Sequence, residues 1–276
     1  MPAEYGGLAS QSLSITPDDS PGGGGGVVGP GPDTFVQTTA VTSGPLDGGY
    51  LWSNSANWTA GVPGADANVA TALAGYDDIA SLSLNELIET SSGSVTVTGG
   101  TLNIGTVSGG ADTELFVFGE EVDATTPINV TVGSVTGTGG FYGAAGPTST
   151  FIDNSATDLG QVYLAQDGGV VELAATPAAS SFLEYSTDGL GTFVLEDPAA
   201  SNAVELSGVR QGDVLELPGT SVTAASFGAS SFSVTTNDGT FDFTNVFYAT
   251  NVSGYTAVHD FSTCLLYTSP SPRDCS

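Results

Sequence analysis

The chain contains no lysine and almost no other positive charge. Among its 276 residues, two Lys plus Arg stand against 30 Asp plus Glu, which gives a formal net charge of −28. A surface this negative repels phosphate backbones and anionic lipid headgroups. The composition therefore excludes nucleic acids and anionic membrane surfaces as binding partners.

Cysteine is absent from the first 263 residues. Cys264 and Cys275 both lie in the final segment CLLYTSPSPRDCS, whose composition differs from that of the rest of the chain. The stretch CLLYTSPSPRD resembles a translated sequencing adapter, so residues 264–276 are predicted to be a non-native tail. The alternative is a genuine Pro-rich tail. Without these residues no disulfide framework is available to the fold.

Long apolar runs are also missing. The N-terminal stretch MPAEYGGLASQSLSITPDDS has neither the basic region nor the apolar region of a cleavable secretory signal, and no apolar run reaches membrane-spanning length. The lack of cysteine, the acidity and the Gly/Thr-rich body nevertheless favour export through an uncleaved C-terminal signal. A cytosolic location is the alternative. We therefore expect an extracellular or cell-surface protein.

Glycine and short β-favouring segments are abundant. The run PGGGGGVVGPGP predicts that residues 1–33 form a flexible Gly/Pro-rich arm, followed by one domain over residues 34–263. In that domain, two short strands recur per roughly 20–25 residues, a period typical of repeat folds. The pattern predicts an all-β fold, a parallel β-solenoid, with a β-sandwich as the alternative. The segment ALAGYDDIASLSLNELIET fits either a helical turn or a strand and turn.

The segment SFSVTTNDGTFDFTNVFYA predicts a β-hairpin near the C-terminal end of the domain. Phe232 and Val234 alternate with polar residues before the turn formed by residues 237–239, and Phe241 and Phe243 alternate after it. Such an antiparallel pair would cap the end of a solenoid.

A glutamate lies between apolar neighbours in five of the repeated strands. The spacings are 12, 12, 9 and 11 residues, and the positions are Glu172, Glu184, Glu196, Glu205 and Glu216. If the strands stack in register, these carboxylates form a ladder on one outer face, with like charges about 5 Å apart. Ca²⁺ would bridge such a ladder as a structural cofactor. The alternative is a solvated strand face, because no calcium-binding nonapeptide or EF-hand loop occurs.

Two tryptophans bracket a polar segment in WSNSANWTAGVPG. If Trp52 and Trp58 were exposed, their rings would stack on a sugar and the chain would act as a carbohydrate-binding module. The alternative is that both rings pack over the first coil of the solenoid as a cap.

Catalytic residue types are scarce. His259 is the only histidine, is predicted to lie on a surface loop, and no G-x-S-x-G turn occurs. Polysaccharide lyases need cations to neutralise the carboxylate of a uronate substrate. Arg210 is the only arginine before the tail, so the composition disfavours lyase activity. Glycoside hydrolysis requires two carboxylates about 5–9 Å apart, so a carbohydrate-active solenoid enzyme is the enzymatic alternative. We expect no enzymatic activity and no catalytic residues.

Two stretches resemble exported bacterial proteins. WSNSANWTAGVPGADANV is similar to the opening of autotransporter-type passenger regions. GDVLELPGTSVTAASFGASSFSVTTNDGTFDFTNV, followed by VSGYTAVHD, resembles the segment that precedes a Hint (hedgehog/intein-type) autoprocessing domain. The resemblance implies an extracellular, adhesin-like or surface-layer β-solenoid region, truncated before a processing domain whose chemistry would start at a downstream cysteine. It carries over no catalytic residue, and its partners would be extracellular glycans or surface components.

Overall fold

The computed structural model describes residues 32–90, 93–109, 113–119, 125–155, 160–177, 179–186, 189–198, 201–249, 256–259 and 264–267. The predicted N-terminal arm therefore lies almost wholly outside the described residues. Within these ranges, one 3₁₀ turn (Ser55–Asn57) accompanies the following strands: β1 (Asp33–Thr34), β2 (Ala67–Thr71), β3 (Gly75–Asp77), β4 (Ser81–Glu89), β5 (Ser94–Val97), β6 (Thr101–Ser108), β7 (Glu114–Phe118), β8 (Ile128–Val135), β9 (Phe141–Ala145), β10 (Ser149–Asp153), β11 (Val162–Gln166), β12 (Val170–Leu173), β13 (Phe182–Tyr185), β14 (Thr192–Leu195), β15 (Ser201–Val209), β16 (Val214–Glu216), β17 (Val222–Phe227), β18 (Phe232–Thr236), β19 (Gly239–Tyr248), β20 (Thr256–His259) and β21 (Cys264–Tyr267).

Successive strands alternate between two sheets. The first sheet has the order β1-β2-β4-β6-β8-β10-β12-β14-β16-β21-β20, and the second has the order β17-β18-β19-β15-β13-β11-β9-β7-β5-β3. Each strand from β2 to β14 pairs in parallel with the strand two further along the chain. This is the predicted parallel β-solenoid, because a sandwich would join its strands by antiparallel pairing.

The register of the first sheet gives the length of each coil. Phe151 pairs with Val171, and Val171 pairs with Phe193, so these successive coils are 20 and 22 residues long. Leu102 pairs with Val130, which makes that coil 28 residues long. The predicted period of two strands per coil is therefore confirmed, with one longer coil.

The interior is filled by columns of aliphatic side chains. Alternate residues of a strand point inward, so parallel stacking places inward residues of neighbouring coils one above the other. Leu84, Ile104 and Val132 form such a column and are buried. Burying aliphatic side chains in this way is the main stabilising contribution, at about 1.5–3 kcal/mol for each side chain.

The segment that fitted either a helical turn or a strand and turn forms β3 and β4. Leu82, Leu84 and Leu87 of β4 are buried between the two sheets. Alternation of inward and outward residues, shifted by one residue between Leu84 and Leu87, therefore decides the local structure, because burial in a sheet outweighs the weak helical preference of the segment.

The C-terminal hairpin is confirmed. Thr236 of β18 pairs with Gly239 of β19, which leaves a two-residue turn, Asn237 and Asp238. β19 also pairs in parallel with β15, so the second sheet ends in the antiparallel strands β19, β18 and β17.

His259 ends β20, which pairs with β21, and β21 pairs antiparallel with β16. The predicted loop position of His259 is therefore wrong, because backbone pairing places it in a strand. The strand β21 falls within residues 264–276, whose assignment as a non-native tail stays a prediction.

Candidate functional site

The five glutamates predicted to form one ladder are divided between the two sheets. Glu172 and Glu216 lie on the first sheet, and Glu196 directly follows β14 of that sheet. Glu184 and Glu205 lie on the second sheet. A residue that recurs once per strand changes sheet at each step, because each coil contributes one strand to each sheet. The structure therefore does not bring the five carboxylates into one row.

On the first sheet, an apolar residue separates two of these glutamates. Val194 pairs with both Glu172 and Glu216, so the two carboxylates are two strands apart. Glu196 directly follows β14. Burial raises the pKa of Glu172, and the charge of Glu196 raises it further.

On the second sheet, Glu184 and Glu205 lie on neighbouring strands but not opposite each other. Glu184 pairs with Leu164 and Ser207, whereas Glu205 pairs with Phe182. Across the described ranges, no group of three or more His, Cys, Asp or Glu residues has an arrangement that could hold a metal ion.

Calcium binding to these glutamates stays a prediction, and thermal melting tests it. If carboxylates bridge through Ca²⁺, millimolar calcium is expected to raise the melting temperature, and magnesium is expected to raise it much less. Identical melting curves in chelator and in millimolar calcium would contradict the prediction.

Trp52 and Trp58 are buried rather than exposed. Their side chains are 0% and 5% exposed, and their ring centroids lie 5.2 Å apart in an edge-to-face arrangement of 78°. Phe35 packs against both rings, and Trp58 Nε1 donates a hydrogen bond to the Trp52 carbonyl. The rings therefore cap the N-terminal end of the interior, and they do not present the exposed, coplanar faces that sugar stacking requires.

Asn57, between the two tryptophans, fastens the N-terminal segment to this cap. It ends the 3₁₀ turn and is fully buried. Its Oδ1 accepts a hydrogen bond from the Thr39 backbone N–H at 2.7 Å, and its Nδ2 donates to the carbonyls of Thr39 and Leu51. The polar segment between the tryptophans therefore has a structural role that the sequence did not indicate.

The substitution Asn57→Ala is expected to lower the free energy of unfolding by about 1–3 kcal/mol, because it removes three part-buried hydrogen bonds to the backbone of Thr39 and Leu51. Asn103→Ala is the matched control, since Asn103 is exposed on the first sheet. Urea denaturation of both variants measures the difference. Equal losses in the two variants would contradict the anchoring role of Asn57.

Four acidic side chains that the sequence analysis did not single out are almost fully buried: Asp77, Glu89, Asp153 and Asp213. Asp153 occupies an interior column, because it pairs with Val132 on one side and Leu173 on the other. Its Oδ2 accepts a hydrogen bond of 2.7 Å from the Tyr163 hydroxyl. A hydrogen-bonded carboxyl group therefore occupies a core position at which both neighbouring coils have an aliphatic side chain.

Glu89 is a buried acid whose pKa lies well above its ordinary value. Its Oε2 accepts a hydrogen bond of 2.9 Å from the Glu114 backbone N–H, and its Oε1 is buried without a hydrogen-bond partner. Burial raises the pKa of Glu89 to about 8, and the charge of Glu114 contributes to the increase. Tyr142 lies close by, and its pKa is raised by burial and then by the charges of Glu89 and Asp153.

Asp77 and Asp213 lie at opposite ends of the solenoid. Burial raises the pKa of Asp77 to about 7, although the backbone N–H of Ile79 donates a hydrogen bond to its Oδ1. Burial likewise raises the pKa of Asp213 to about 6, although hydrogen bonds from the backbone N–H groups of Arg210 and Gly191 oppose this increase. These acids sit singly in the interior rather than as a pair facing a groove.

Comparison with protein-family models, with curated proteins and with solved structures finds no match. Within the described residues, no helix has the length and apolar character needed to span a membrane.

Proposed function

We propose that this chain is a non-enzymatic, exported or cell-surface structural region of the adhesin-like type. The observation that carries the proposal is the unbroken parallel stack from β2 to β16 in the first sheet, accompanied by β3 to β15 in the second. In such a stack each coil contacts only its neighbours, so the protein forms an elongated, self-supporting body. That shape suits a region that extends from the cell and presents a binding surface at a distance from it.

The charge distribution supports the same proposal. The net charge of −28 keeps copies of the chain apart and favours solubility outside the cell. Within the described residues the buried acids accept hydrogen bonds from other groups of the protein, as Asp153 does from the Tyr163 hydroxyl. A carboxylate held in this way acts on the stability of the fold rather than on a substrate.

The outer face of the first sheet offers an adhesive surface. Ser83, Asn103 and Thr131 pair with one another across three coils and form one outward column, and Thr101 pairs with Asn129 in the next column. Hydroxyl and amide groups donate and accept hydrogen bonds without charge. These uncharged polar columns in so acidic a protein favour extracellular glycans as partners.

The test applies the full chain to insoluble cellulose and chitin. We expect the protein to be retained on at least one of these polymers without releasing reducing ends. Thr131→Glu is expected to reduce retention, because it places a charge in the polar column. Thr192→Glu, further along the same sheet, is the matched control.

Release of reducing ends would show a glycoside hydrolase and would contradict the proposal. Equal retention of the Thr131 and Thr192 variants would contradict the assignment of this face.

A further inference from the structure

An apolar strip runs along the outer face of the second sheet. It consists of Phe116, Phe118, Phe141, Val162, Leu164 and Phe182, all at outward positions of β7, β9, β11 and β13. Val162 pairs with Phe141 on one side and with Phe182 on the other, so three successive coils contribute to one column. Outward positions of a solvated sheet are ordinarily polar, so this strip needs an explanation.

The strip is a packed surface rather than a set of isolated side chains. The Phe116 ring lies 4.8 Å from the Phe141 ring and 5.5 Å from the Phe118 ring, measured between centroids. Gly143 makes room for this cluster, because a Cβ atom there would lie 2.7 Å from the Phe116 ring. Phe182, at the other end of the strip, is 40% exposed.

Every charged residue paired with the strip is a glutamate. Glu114 pairs with Phe141, Glu184 pairs with Leu164, and Glu205 pairs with Phe182. A second copy of the chain would bring a like-charged rim against this one, with −28 on each molecule. Like charges placed together across an interface weaken the association. The charge therefore disfavours self-association and favours a positively charged partner.

We propose that the apolar strip binds a cationic amphipathic polypeptide segment. Its apolar side chains cover the phenylalanines, and its Lys or Arg side chains reach Glu114, Glu184 and Glu205. The negative field of the whole protein speeds the encounter with such a segment. The apolar contact then sets how long the complex lasts.

Binding of three synthetic peptides of equal length to the full chain tests the proposal. One alternates Leu and Lys, the second alternates Ser and Lys, and the third alternates Leu and Glu. Fluorescence anisotropy in 0.15 M salt, where charges more than about 8 Å apart are largely screened, measures each affinity. We expect the Leu/Lys peptide to bind at least tenfold more tightly than the Ser/Lys peptide, and the Leu/Glu peptide not to bind.

A double variant assigns the binding to the strip. Leu164→Ser with Phe182→Ser is expected to weaken binding of the Leu/Lys peptide at least tenfold. Leu73→Ser is the matched control, because Leu73 is also 40% exposed but lies outside the strip. Melting curves check that both variants remain folded, and single substitutions replace the double variant if it does not fold.

Three results would overturn the proposal. The first is equal affinity for the Leu/Lys and Ser/Lys peptides, which would show attraction by charge alone. The second is an equal loss of affinity in the strip variant and in the Leu73 control. The third is a dimer of the unchanged protein in sedimentation that the strip variant abolishes, which would make a second copy the occupant.

Discussion

The substitution Gly100→Ala is expected to lower the free energy of unfolding by about 3–5 kcal/mol, through backbone strain and overpacking together. Gly100 follows Gly99 in the turn between β5 and β6 and has a φ of +62°. A Cβ atom on Gly100 would lie 1.9 Å from the carbonyl oxygen of Ala80, in the coil below. The backbone of one coil would have to move, which disturbs the pairing of β6 with β4.

Gly219→Ala separates the two causes. Gly219 has a similar φ of +72°, but a Cβ atom there would contact nothing within 4 Å. This control is expected to cost about 1–2 kcal/mol, the penalty of the left-handed conformation alone. Guanidinium denaturation of both variants measures the difference. Equal losses would show that the approach of neighbouring coils at Gly100 does not limit stability.

The architecture follows from local features of the chain, because a β-solenoid is built from repeated local units. The Gly99–Gly100 turn and the hairpin around residues 237–239 come from glycine and turn residues, whose backbone preferences act locally. What these features do not specify is the sheet to which each strand belongs. Glu172 and Glu184 occupy equivalent places in successive strands, yet they lie on different sheets. The calcium-ladder prediction placed all five glutamates in one row, whereas each coil contributes one strand to each of two sheets.

The buried acids carry a signal that the sequence analysis missed. Asp153 is two residues after Phe151, and Glu89 is two residues after Leu87, so strand alternation places both acids inward with their apolar neighbours. Composition argues the other way, because acids are almost never fully buried without a partner. Some partners come from other strands, as the Tyr163 hydroxyl of β11 does for Asp153 of β10. Such partners become visible only when the register between coils is known.

The buried acids also predict that the protein is more stable at pH 5 than at pH 9. Where burial raises the pKa of a carboxyl group, the folded state favours its neutral form. For Glu89 this stabilisation is complete below the ordinary pKa of 4.5 and is lost as the pH rises through about 8. Asp77, with a pKa of about 7, acts in the same direction. Urea denaturation at several pH values between 5 and 9 measures the decline.

Glu89→Gln is expected to raise the free energy of unfolding at pH 9 by roughly 5 kcal/mol, since burial raises the pKa from 4.5 to about 8 and each unit of pKa difference corresponds to about 1.4 kcal/mol. At pH 5 the effect is expected to be small, because glutamine matches the neutral carboxyl group in size and its carbonyl oxygen still accepts the hydrogen bond from Glu114. Glu184→Gln is the control, because Glu184 is exposed on the second sheet. A loss of stability in the Glu89 variant that is equal at pH 5 and pH 9 would contradict this prediction. It would mean that Glu89 is ionised in the folded protein at both pH values.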